Sequence, residues 1–196
     1  MRILPVFIVV LIALLTAGDT AHAQNKKERK LIAEAERISG DTFAVLTKTE
    51  KGAKVYAVNP PNPATLNAID EGLKTLFAIA KKNGYKSKTK YSDYTIFIAR
   101  ADRTKDSAGN YSPDFAIRAA QYKGTIFDQG GFIYAAGMVI NNDPCAFLMA
   151  EHTKEYSRVS NVVRYEGEHL ILYHNDRKRY KETADHSKGG GHPILQ

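Results

Sequence analysis

The stretch Arg164-Tyr165-Glu166-Gly167-Glu168-His169 places two carboxylates and an imidazole within four residues. Such groups can take and return a proton near neutral pH, and both kinds bind divalent metals. More imidazoles stand nearby. Five of the six histidines (His152, His169, His174, His186 and His192) lie in the last quarter of the chain. That clustering points to acid–base or metal chemistry built from the C-terminal part of the fold.

Helix geometry sorts these groups. A helix is predicted from near Thr153 to about Asn175. Val159, Val162, Val163, Leu170 and Tyr173 mark its apolar face at spacings of three and four. Glu166 and His169 fall within that stripe, where a carboxylate is costly unless paired, protonated or bound to a metal. Glu168 falls off the stripe and is expected to be solvated. His174 stands roughly 140° around the helix from His169, so the two are not expected to share an ion.

Residues Tyr165 to His169 resemble the H-E-x-x-H motif of zincin-type metallopeptidases, with Tyr165 in place of the first histidine. In that family a helix presents two histidines, one turn apart, to zinc. The glutamate beside the first acts as general base on the metal-bound water. The resemblance covers only about twenty residues. It implies Glu166 as the base and His169 as a ligand, and leaves the place of the first histidine to be filled. His186 and His192 can fill it from a tail whose Gly189, Gly190 and Gly191 allow tight turning. His169, His186 and His192 would then form a three-histidine zinc site, with Glu166 as the base or as a fourth ligand that closes it, and Tyr165 as a weak ligand or oxyanion donor. The implied activity is that of an exported, degenerate zincin-like metal-dependent hydrolase, a peptidase in the closest case, acting on a peptide or small molecule.

The residues themselves leave a second reading open. Glu166 and His169 can be a structural polar pair, bonded to each other, to Arg164 or to a tail residue, inside a non-catalytic binding module. A carboxylate-bridged di-iron bundle would need a second Glu-x-x-His copy on another helix, and the sequence has none. Residues Asp102 to Asn110 alternate oxygen ligands but lack the glycine and terminal glutamate of a calcium loop, so they read as a turn. No Gly-x-Ser-x-Gly elbow and no phosphate-binding loop is present.

The elements that must hold such a site are readable from periodicity. A helix over 25–39 stops at Gly40, and strands over 42–49 and 53–59 flank the turn Glu50-Lys51-Gly52. Leu66, Ile69, Leu73, Leu76, Phe77 and Ala80 trace a long amphipathic helix that ends before Gly84. Strands follow over 93–101, two or three times within 115–141, and over 145–152. The expected fold class is α+β, with helices on an antiparallel or mixed sheet.

Composition bounds the rest. The 196 residues carry 28 Lys and Arg against 21 Asp and Glu, a net charge of +7. The excess is concentrated in residues 26–30, 81–90 and 177–181. No RNA- or DNA-binding motif accompanies these runs, which argues against nucleic acid. They read as solvated faces, or as a surface for anionic envelope polymers. A single cysteine, Cys145, excludes an internal disulfide and lies in an apolar run, as a small buried hydrophobe would. At the N-terminus, Met1-Arg2 precedes the apolar run Ile3 to Leu15 and the small-x-small pattern Ala21-His22-Ala23. That run is short of the roughly 20 residues of a membrane span, and the pattern predicts a signal peptide cleaved after Ala23. The mature chain, residues 24–196, is expected to be a single periplasmic or secreted domain without a transmembrane segment.

Overall fold

The structure, a computed structural model, describes residues 26–102, 113–117, 133–184 and 191–196. The expected signal peptide, the turn after Asp102 and His186 all lie outside the described residues, apart from Asp102 itself. The first helix, α1, spans residues 26–39 and ends at Gly40, whose φ of 73° is a left-handed stop. Strands β1 (Val45–Lys48) and β2 (Lys54–Ala57) pair antiparallel about the expected turn, where Gly52 has φ 99°. Helix α2 (Pro63–Lys82) begins where the asparagine–proline run predicts a break. The Asn62 side chain caps it by accepting from Thr65 N–H at 2.8 Å, and proline occupies the first turn, where its missing N–H costs nothing.

A short 3₁₀ turn (Tyr91–Asp93) leads into β3 (Tyr94–Ala99). Beyond it come β4 (Phe115–Ile117), β5 (Ile133–Ala135), β6 (Gly137–Asn141) and β7 (Cys145–Ala150). Helices α3 (Tyr156–Asn175) and α4 (Arg177–Thr183) close the chain before the short tail. The main sheet is mixed, in the order β1-β2-β3-β7-β6. β2, β3 and β7 run parallel, and the edge strands β1 and β6 run antiparallel to their neighbours. β4 and β5 form a separate antiparallel pair. This is the expected α+β class. β1, β2 and β3 are shorter at both ends than periodicity predicts and β7 at its C-terminal end, because alternation extends into flanking residues that have no ladder partner.

Both faces of the sheet are covered. Tyr94, Ile96 and Ile98 of β3, with Cys145, Phe147 and Met149 of β7, pack under α2 and α3. Phe97, Ala99, Ala146, Leu148 and Ala150 face the other way, toward Leu31, Ala35 and Ile38 of α1 and toward Phe115 of β4. Every residue of β7 is therefore buried, as expected of a central strand with helices on one side and a second layer on the other. Cys145 lies in this core as expected, and burial pushes its thiol up to about 12.

Helix α3 is pressed close to α2. A side chain at Gly167 would start 2.3 Å from Leu76 Cδ2, and one at Gly72 would start 2.6 Å from the Ser160 carbonyl oxygen. Two missing side chains thus set the depth at which α3 carries the Arg164–His169 stretch. Among the described residues no helix is long and apolar enough to cross a membrane.

Candidate functional site: the α3–tail cluster

The described tail, residues 191–196, folds back onto α3. Leu195 is fully buried in the α2–α3 core. Its backbone and that of Ile194 are held by α3 and α4. Arg164 Nη2 donates to the Leu195 carbonyl at 3.2 Å, and Arg179 Nη2 donates to the Ile194 carbonyl at 2.7 Å. Asn83, after α2, donates to the Gln196 carbonyl at 3.2 Å.

Glu168 is the centre of this contact, which corrects the expectation that it is solvated: it is 0% exposed. Its Oε2 accepts from the Ile194 N–H at 2.7 Å and lies 3.5 Å from His192 Nδ1, while its Oε1 accepts from Arg164 Nε at 3.2 Å. Burial opposes ionisation most strongly here. Hydrogen bonds from His192 and from the Ile194 and Leu195 N–H groups, with the Arg164 charge, outweigh it, so the carboxyl stays below its ordinary range. Periodicity misplaces Glu168 because it registers only apolar partners, whereas the tail offers this residue polar ones. One signal was in the sequence: Arg164 and Glu168 are four apart, a spacing that brings opposite charges together on a helix.

Glu166 sits on the other side of the cluster, against edge strand β6. A side chain at Gly137 would start 2.8 Å from Glu166 Cγ and 2.9 Å from Oε1, so the glycine makes room for the carboxylate. The burial of its carboxyl pushes Glu166 up to about 7, with His192 and the Val139 N–H pulling in the opposite direction. Although part of the residue is exposed, its carboxyl is enclosed by β6, which is why burial dominates.

His192 joins the two sides. Its ring stacks on Tyr165 at 4.8 Å between centroids and meets the His169 ring edge-on at 4.9 Å. The Arg164 guanidinium lies 5.5 Å from the centre of the Tyr165 ring. His169 is buried as its place on the stripe predicts. Of the expected three-histidine set, then, His169 and His192 come together, and His186 is outside the described residues. His174 lies apart from them, with Nε2 2.8 Å from the Asn142 carbonyl oxygen. His152 is buried near Arg158, and burial holds its imidazole below the ordinary range.

The described donors do not by themselves fit a metal. Among the described residues no group of three or more His, Cys, Asp and Glu side chains is arranged to hold one. Glu168 already accepts from the tail, and the Arg164 cation stands beside it, where a second cation would be repelled. A cleft of about 550 Å³, lined by Ser39, Asp41, Asn59, Arg100, Asp102 and Phe115, shares no residue with the cluster.

Comparison with known proteins found no family model, no curated protein and no solved structure that matches the chain.

Proposed function

We propose that the protein is an exported, non-catalytic binding module in which the Arg164–His169 stretch is a structural clamp for the C-terminal tail. The observation that carries this reading is the coordination of Glu168. Its carboxylate is fully buried and taken up by Arg164, His192 and the tail backbone. Tyr165 serves the same clamp by giving His192 a face to stack on. Export is proposed from residues 1–23, with a periplasmic or secreted location.

A second reading is favoured by one specific observation, the Glu166 carboxyl, pushed up to about 7 by burial and within the field of His192, whose ring in turn meets that of His169. A carboxylate so poised suits general acid–base work. In that reading the protein is a zincin-like zinc hydrolase and His186 supplies the missing donor.

Elemental analysis separates the two. The purified chain, equilibrated with micromolar zinc and gel-filtered, is expected to retain far less than one zinc per chain, with no difference in His169→Ala. One zinc per chain in the wild type, lost in both His169→Ala and His186→Ala, would overturn the clamp reading in favour of the hydrolase.

A further inference from the structure

Two of the three basic runs, residues 81–90 and 177–181, are far apart in sequence, yet the fold brings them together at one end of the molecule, beside the last residues of the tail. Helix α2 ends there in Lys81 and Lys82. Its stop is a paired closure, with Gly84 N–H donating to the Lys81 carbonyl at 3.0 Å and Tyr85 N–H donating to the Ala80 carbonyl at 2.9 Å. The loop that follows is tied to the end of α3. Asn175 Oδ1 accepts from the Lys86 and Ser87 N–H groups at 3.1 and 2.9 Å, and Asn175 Nδ2 donates to the Ser87 carbonyl at 3.1 Å. Tyr85 OH donates to Asp176 at 3.2 Å, and Asp176 in turn caps α4 by accepting from Arg179 N–H at 3.0 Å.

These bonds hold Lys86 beside α4, whose Arg177, Lys178 and Lys181 are exposed, as are Lys81, Lys82 and Lys86. Lys88 Nζ donates to Asp143 Oδ1 at 3.1 Å and holds that carboxyl below its ordinary range. The acidic groups of these segments are Asp93, Asp143, Asp176 and Glu182. The first three are engaged, Asp93 by the Lys90 N–H, Asp143 by Lys88 and Asp176 by Tyr85 and the α4 backbone, and Glu182 is exposed beside the lysines. Lysines stabilise the last turn of a helix, which accounts for Lys81 and Lys82. It does not account for a loop lysine and a second basic helix being fastened beside them.

We infer that this end of the molecule is a docking face for an anionic phospholipid surface. Charge complementarity selects an anionic partner, and three features select a lipid surface over a nucleic acid. The face is made of helix ends rather than a groove that could follow a polymer backbone. Its tyrosines are occupied: Tyr173 lies under Arg177 at 3.3 Å and meets Tyr180 edge-on at 5.1 Å, and Tyr85 is turned to Asp176, so none offers an open ring for base stacking. Against Arg177 alone, the exposed cations of the two runs are lysines (Lys81, Lys82, Lys86, Lys90, Lys178 and Lys181), point charges suited to a diffuse phosphate field rather than to bidentate recognition.

The test is sedimentation of the full chain with vesicles of phosphatidylcholine containing about one-third phosphatidylglycerol. The expected result is binding at 50 mM salt, loss at 500 mM, and none to pure phosphatidylcholine, as the Debye length falls about threefold, from about 14 to about 4 Å, between the two salt conditions. The triple variant K86Q/K178Q/K181Q is expected to bind about 100-fold more weakly, at about fivefold for each cation. A charge-matched control on other surfaces, K48Q/K74Q/K154Q, is expected to change binding less than threefold, an effect of net charge alone. All six positions are on the surface, and circular dichroism confirms that both variants are folded. Equal losses in the two triple variants would overturn the proposal, as would absence of binding to the anionic vesicles at low salt. Tighter, K86Q/K178Q/K181Q-sensitive binding to duplex or single-stranded DNA than to vesicles would overturn it in favour of a nucleic-acid face.

Discussion

Glu166 and Glu168 are separated by one glycine on the same helix, yet their two sides of α3 are different solvents. On the tail side, Glu168 is fully enclosed and meets a guanidinium, two backbone N–H groups and an imidazole, and its carboxyl is held in the charged form. On the β6 side, the Glu166 carboxyl is enclosed with a single N–H from Val139 and the more distant charge of His192, and it is pushed up to about 7. Burial is common to both. The number of donors that the fold delivers decides which carboxylate stays ionised. The residue that looks catalytic by position, Glu166, is the less supported of the pair, and the one that looks incidental is the clamp.

The largest expected effect tests the tail side. Glu168→Ala leaves Arg164 and the Ile194 and Leu195 N–H groups without their acceptor in a buried place, which should cost about 3–5 kcal/mol of stability by urea denaturation. A loss below about 1 kcal/mol would mean that the tail does not depend on this carboxylate.

The second tests the sign difference between the two carboxylates. Glu166 has a folded-state pKa above its unfolded one, so it carries no penalty in acid, where both states are protonated. The penalty grows as pH rises from about 4.3 and is complete above about 7. Glu166→Gln should therefore stabilise the protein by up to about 3 kcal/mol at pH 8 and leave it nearly unchanged at pH 4. Glu168 has the opposite slope. Its folded-state pKa is lowered, so its contribution is full above the unfolded value and is lost as pH falls through the folded one. A Glu166→Gln profile parallel to that of the wild type from pH 4 to 8 would break the comparison.

The smallest effect tests the room made for Glu166. In Gly137→Ala the new methyl meets Glu166 Cγ at 2.8 Å and Val162 Cγ1 at 2.6 Å, both side-chain atoms that can shift. A loss of about 1–3 kcal/mol is expected. The loss should shrink when Gly137→Ala is combined with Glu166→Ala, since one of the two clashes is then removed. Purely additive losses would place the strain on Val162 alone.

Much of the scaffold was legible from local pattern. The three longer helices, the hairpin about Gly52, the central strands and the burial of Cys145 all follow from apolar periodicity and glycine or proline punctuation, which act over a few residues. The cluster was legible only in part. His169 on its stripe and the approach of His192 to it agree with the reading of the sequence. Glu168 does not, because its partners are a tail more than twenty residues downstream, and helical phase carries no information about that tail.

By itself, then, the sequence determined the α+β class and the helix that bears the polar stretch, since burying an apolar stripe is a local demand on any chain. Only the tertiary structure decided the mixed strand order, which glutamate is paired and which is pushed toward neutrality, and that basic runs some ninety residues apart share one end. Each of these depends on closing long loops so that particular donors meet particular acceptors, and that is settled by packing across the whole core rather than by any single segment.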